Sequence, residues 1–170
     1  MYIWQAAYQA IRHVSIFIHN VDSNKELTEA EITDMKGQAH FLRAYFYWML
    51  IRSFGPVPIV PDEGVDYTKE YDEIAYPRST YDECADYIAE ELVKAATMLD
   101  DERDVQNIVR PTRGAALALR SRVLLYAASP LYNGQAPSEV IDALVDKSGR
   151  KLLSDTYDNR KWARAAAAAK

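Results

Sequence analysis

Between Asp62 and Tyr76 the chain gathers Tyr67, Tyr71 and Tyr76 with the acidic residues Asp62, Glu63, Asp66 and Asp72. A tyrosine ring can lie against the apolar face of a pyranose while carboxylates accept hydrogen bonds from its hydroxyls. The stretch is therefore a candidate for sugar recognition. The plainer reading is a solvated loop whose tyrosines pack back on neighbouring helices. Tyr45, Phe46, Tyr47 and Trp48 form a second aromatic group. Consecutive residues on a helix point around most of its circumference, so at least one of them faces away from the core. Tyr45 and Phe46 are expected inside, and Tyr47 and Trp48 are the candidates for facing a partner.

Other reactive residue types lack the spacing their chemistry needs. His13, His19 and His40 contain no His-Glu-x-x-His pattern, so no zinc hydrolase site is indicated and partly exposed side chains are expected. Asp100, Asp101, Glu102 and Asp104 offer oxygen ligands for calcium, but without the glycine turn and distal glutamate of an EF-hand loop; a charged connection is expected. Cys84 falls on an apolar helix face with no basic neighbour to lower its pKa, which predicts a buried, inert thiol. Neither Ser53 nor Ser129 lies in a Gly-x-Ser-x-Gly elbow, and Gly55, Gly64 and Gly114 are isolated rather than grouped in a phosphate loop. Arg110 and Arg113 flank Pro111 and could clamp an anion or pair with the acids at 100–104. No residue is nominated as catalytic, metal-ligating or cofactor-binding.

The elements that must position these residues are limited by composition. The 170 residues allow one domain or a piece of one, 49% hydrophobic and 26% charged, with 6 Gly and 7 Pro, which excludes a disordered or collagen-like chain. A net charge of −5 argues against nucleic-acid binding, which needs clustered cations. With a single cysteine there is no intramolecular disulfide framework and no Cys-rich zinc site. The start of the chain does not read as a signal peptide, and no window approaches the ~20 apolar residues of a membrane span. The Ala-rich stretch to Lys170 ends without a capping signal, so the expectation is a fragment truncated at both ends.

Trp4, Tyr8, Ile11, Ile18 and Val21 recur at helical spacing. Thr28 with Glu31, and Thr80 with Glu83, are capping-box patterns that open long helices over about 29–54 and 80–99. Gly55-Pro56 ends the first of these, and the prolines at 56, 58 and 61 force an extended segment. Ile32, Met35, Ala39, Leu42, Tyr45, Phe46, Met49 and Leu50 are expected on the apolar face of the first, and Cys84, Ile88, Leu92, Ala95 and Leu99 on that of the second. A further helix opens at Pro111-Thr112 and ends before Pro130, with the seam Ala115, Ala116, Leu119, Val123 and Tyr126. A short helix is expected within 137–146 and a last one over 160–170. With no run of alternating β-branched residues, the fold class is all-α: a tetratricopeptide-like helical repeat scaffold with long inserted loops.

Three stretches in this order resemble the SusD/RagB family. They are Phe41-Leu42-Arg43-Ala44-Tyr45-Phe46-Tyr47-Trp48 running on to Gly55-Pro56-Val57-Pro58; Arg78-Ser79-Thr80 with its helix; and Arg113-Gly114-Ala115-Ala116 through Tyr126-Ala127 to Tyr132-Asn133-Gly134. The resemblance implies that residues 1–170 are a single N-terminal helical domain of an outer-membrane nutrient-binding lipoprotein of Bacteroidota. It implies a non-enzymatic role, exposure at the cell surface, an oligosaccharide or other nutrient ligand whose contacting aromatics lie largely outside these residues, which are scaffold, and a TonB-dependent (SusC-like) transporter as partner. It implies no cofactor and no nucleic acid, with membrane association only through a lipid anchor absent from these residues. A free-standing helical-repeat module that binds other proteins is the alternative, and an α-helical glycosidase the third reading, for which no acidic pair stands out. An uncovered helix face predicts that the isolated chain self-associates.

Overall fold

The computed structural model describes residues 2–62, 68, 70 and 75–170. Helix α1 (Tyr2–Asn20) buries Ala7, Ile11 and Ser15, which lie on one stripe because they are spaced by four. A 3₁₀ turn at Val21–Ser23 leads on to α2 (Glu29–Phe54). Both predicted capping boxes are formed. Thr28 Oγ1 accepts from the Glu31 N–H at 3.3 Å, and the Glu31 carboxylate accepts from the Thr28 N–H at 2.8 Å. At α3 (Tyr81–Met98), Thr80 Oγ1 accepts from the Glu83 N–H at 3.1 Å and Glu83 accepts from the Thr80 N–H at 2.7 Å. Helix α2 stops at Gly55, whose φ of 70° suits glycine and whose N–H donates to the Ile51 carbonyl. Helix α4 (Arg113–Ala128), a 3₁₀ turn at Pro130–Tyr132, the short α5 (Ser138–Ala143) and α6 (Arg160–Ala168) complete the described elements.

The helices stack in chain order: α1 on α2, α2 on α3, α3 on α4, and α4 on α6. Each element covers its neighbours, as in a helical-repeat scaffold, and the fold is all-α. Among the described residues the one extended pairing is an isolated antiparallel bridge between Val145 and Lys151. No described helix is long and apolar enough to cross a membrane. One continuous core joins Ile11, Ala44, Tyr47, Leu50, Ile51, Ile88, Leu92, Ala116 and Val123. Ala165 of α6 meets Ala89, Leu124 and Ala128 in a smaller cluster, so small side chains bring α6 close to α4.

The phase of α2 differs from the sequence expectation. Its buried residues are Gly37, Ala39, His40, Arg43, Ala44, Tyr47, Trp48, Leu50 and Ile51, while Leu42 and Tyr45 are exposed. Tyr47 and Trp48 are therefore corrected from partner-facing to core, at 1% and 3% exposed, and Tyr45 from core to surface, at 42%. The cause is the spacing of small residues. Gly37 and Ala44 lie on the side that α3 approaches, and a Cβ on Gly37 would stand 2.9 Å from the Met98 Cβ. Tyr47 and Trp48 lie further along the same buried side of α2. Trp48 then meets Tyr126 edge-on, with ring centres 4.9 Å apart.

Candidate functional site

Tyrosine hydroxyls and an arginine fix the extended segment after Gly55. Tyr8 Oη donates to the Pro58 carbonyl at 2.7 Å, and Tyr47 Oη accepts from the Val60 N–H at 3.0 Å. Tyr87 Oη donates to Asp62 Oδ1 at 2.9 Å. The three rings form an edge-on series, 6.3 Å from Tyr8 to Tyr47 and 5.1 Å from Tyr47 to Tyr87, with Trp4 5.0 Å beyond Tyr8. Burial pushes all three phenols far above their ordinary pKa, so they stay protonated hydrogen-bonding groups. Arg78 Nε donates to the Pro56 carbonyl at 2.7 Å, and the Cys84 thiol donates to the Val57 carbonyl at 3.4 Å. Burial raises that thiol to about 11, so it is inert as expected.

Beneath Asp62 lies a buried charge cluster that joins α2 to α3. Glu91 Oε2 accepts from Arg43 Nε at 2.7 Å and from His40 Nδ1 at 2.9 Å, and Lys94 Nζ donates to Oε1 at 2.8 Å. Arg43 Nη1 reaches Ser15 Oγ and Asp62 Oδ1, each at 3.3 Å. Burial alone would raise the Glu91 pKa; the His40 hydrogen bond, the Arg43 charge and Lys94 outweigh it and hold the carboxyl at about 2. His40 was expected to be partly exposed; it is buried because Glu91 satisfies its ring nitrogen. The cluster anchors the first residue of the acidic tyrosine stretch to the core.

The far end of that stretch borders a cleft of about 590 Å³, lined by Tyr76, Pro77 and Arg78 on one side and by Val145, Asp146, Lys147 and Ser148 on the other. The second wall is a tight turn. Asp146 Oδ1 accepts from the Ser148 N–H, the Ser148 hydroxyl and the Arg150 N–H at 2.8, 2.6 and 3.0 Å. These bonds, the Ser148 hydroxyl foremost, hold the Asp146 carboxyl at about 2. Arg150 ties both walls to the start of α3. Its Nη1 donates to Glu83 Oε1 and its Nη2 to the Arg78 carbonyl, each at 3.0 Å, while Nε donates to Asp146 Oδ2 at 3.1 Å. The Tyr81 N–H donates to the Leu152 carbonyl at 2.9 Å, docking the base of the turn on the same helix start. A second cavity, between α3, α4 and α6, is lined by the ion pairs of Lys161 with Asp82 and Arg164 with Asp86.

Of the tyrosines predicted for sugar contact, Tyr76 lines this cleft, while Tyr67 and Tyr71 lie outside the described residues. Arg113 pairs with Asp101 through two hydrogen bonds, the ordinary outcome expected of the arginines around Pro111. Ser148-Gly149 reads as a break in the sequence, but sequence reasoning missed that Asp146 closes a turn there and that Arg43 pairs with Glu91. The pattern Asp146-Lys147-Ser148-Gly149 was the available signal for the turn, since aspartate followed by serine and glycine favours side chain-to-backbone closure. Nothing in the local sequence connects residues 43 and 91.

Comparison with known proteins gives this geometry its context. Residues 1–125 match a SusD-like family described as "Starch-binding associating with outer membrane". The SusD-like protein P25 of Formosa agariphila is 31% identical over 55 residues, which is 32% of this chain and 10% of that protein. The solved structure of BT4246 matches with a TM-score of 0.85 at 31% identity, covering 97% of this chain and 28% of that one. A SusD-like protein (BF3747) from Bacteroides fragilis matches with a TM-score of 0.68 at 33% identity, covering 74% of this chain and 24% of that one. The chain thus spans well under half the length of each relative. The family match covers most of the 170 residues, and the chain belongs to the SusD-like family.

Proposed function

We propose that this chain is the N-terminal helical domain of a non-enzymatic, surface-exposed outer-membrane lipoprotein. It captures oligosaccharides and passes them to a TonB-dependent, SusC-like transporter. The observation that carries this reading is the match of residues 1–125 to a family described as starch-binding and associating with the outer membrane. The described helices supply scaffold. Their single thiol, Cys84, is buried in α3 and is not an anchor point, so attachment runs through a lipid elsewhere in the protein. The Tyr76 cleft is where this domain touches a glycan: a ring beside polar groups on a rigid turn suits a pyranose. Tyr47 and Trp48 take no part in partner contact because they are core, so the exposed helix faces carry that role.

Isolation of the tagged, full-length protein from outer membranes tests the partnership. A TonB-dependent barrel should co-purify with it, and charge reversal across exposed helix positions, Glu90 and Arg122 among them, should lower the yield. Recovery without any barrel contradicts the transporter assignment.

A further inference from the structure

We infer that the Tyr76 cleft is selective for acidic oligosaccharides, with Lys147 and Arg78 holding a carboxylate or sulfate group while the Tyr76 ring lies under a sugar. The inference rests on the glycan-binding reading above and adds the charge class of the ligand. The cleft is lined by two cationic residues, Arg78 and Lys147, together with the aromatic Tyr76. The acid beside them is already committed. Asp146 fills both its oxygens with bonds to Ser148 and to the Arg150 backbone and guanidinium, so it neither neutralises Lys147 nor remains open to sugar hydroxyls. Lys147 has no ion-pair partner among the described residues and is exposed. Arg78 is held in place by the carbonyls it donates to, Pro56 at 2.7 Å and Phe54 at 3.4 Å. Among the described residues its Nη1 has no partner.

A guanidinium fixed before the ligand arrives loses little freedom on binding, and its charge-assisted hydrogen bonds are stronger than neutral ones. These two cations sit in a 170-residue chain whose net charge is −5, which offers anions no general attraction. A neutral sugar would leave the Arg78 fork and the Lys147 ammonium without a counter-charge, so the arrangement favours a ligand that brings one.

Calorimetric titration of the full-length protein tests this with three probes of equal length: tetragalacturonate, its neutral galactose counterpart, and the sulfated form of the neutral tetrasaccharide. A charged probe should bind about tenfold or more tightly than the neutral one, and less tightly as salt is raised. The better of the two charged probes identifies the anionic group. Lys147→Glu should erase the preference without lowering the melting temperature, since the side chain is exposed. Equal affinity for charged and neutral probes, or a preference that survives Lys147→Glu, overturns the inference. Neutral binding that Tyr76→Ala abolishes would in that event leave the glycan reading standing. Failure of all three probes to bind overturns both.

Discussion

Glu91 is fully buried yet ionised, because His40, Arg43 and Lys94 donate to it from two helices. Its folded pKa, about 2, lies below the ordinary 4.5. As pH falls below about 4.5 the unfolded chain takes up the proton first, so stability present above that pH is lost toward pH 2. Acid denaturation should steepen in this window, and Glu91→Gln should flatten that part of the profile. The same substitution removes the buried counter-ion of Arg43 and leaves it only the more exposed Asp62 at 3.3 Å, at a cost of ~3 kcal/mol at neutral pH by urea titration. Gly134 is a second point of high constraint. It has φ of 71°, and an added Cβ would stand 2.3 Å from the Thr156 carbonyl carbon and the Tyr157 nitrogen. Gly134→Ala should cost about 3 kcal/mol or more, against about 1–2 kcal/mol for Gly149→Ala, which has the same hand of φ but open space around it. Equal losses for the two glycines would refute the close approach. The pair Asn133-Gly134 is itself a turn signal in the sequence, whereas the partner of that turn is not marked. Asn133 is bonded to the backbone of Asp158, 25 residues later.

At the scale of elements, the capping boxes at Thr28 and Thr80 placed the starts of α2 and α3 within a residue, because the pattern is local and its chemistry is specific. The extended prolines after Gly55 were equally legible. The buried face of α2 was not. An apolar tally favours Leu42 and Tyr45, whereas the packing is decided by Gly37 and Ala44, which let α3 approach, and by Arg43 and His40, whose partner lies on another helix. The phenols of this region act as backbone fasteners. Tyr47→Phe should leave the Val60 N–H without its acceptor, cost about 1–2 kcal/mol, and speed hydrogen exchange at that amide. Unchanged protection at Val60 would show that the hydroxyl does not hold the segment. Arg150 plays the matching part for the cleft, joining Glu83, the Arg78 carbonyl and Asp146. Arg150→Ala should weaken glycan binding severalfold while leaving the helical circular dichroism signal intact.

Across the whole molecule, the stacking of helices in chain order follows from amphipathic segments joined by loops, and this much was present in the sequence. The cleft was half legible. Tyr76 came from its place among acids and other tyrosines, but the opposite wall comes from residues about seventy positions later. Outside the stacked core, Val105, Ile108 and Val109 stand 88%, 72% and 91% exposed on one connection. Apolar exposure of this kind favours association, so the isolated chain should show a mass that rises with concentration in light scattering, and Ile108→Asp with Val109→Asp should suppress the rise. A concentration-independent monomer would contradict this. The central claim is that the domain binds glycan through the Tyr76 cleft. Native gel electrophoresis through embedded polysaccharides, neutral and acidic, tests it most directly. The account predicts retarded migration in at least one polysaccharide and its loss in Tyr76→Ala; unretarded migration throughout the panel, or retardation that Tyr76→Ala leaves unchanged, would contradict it.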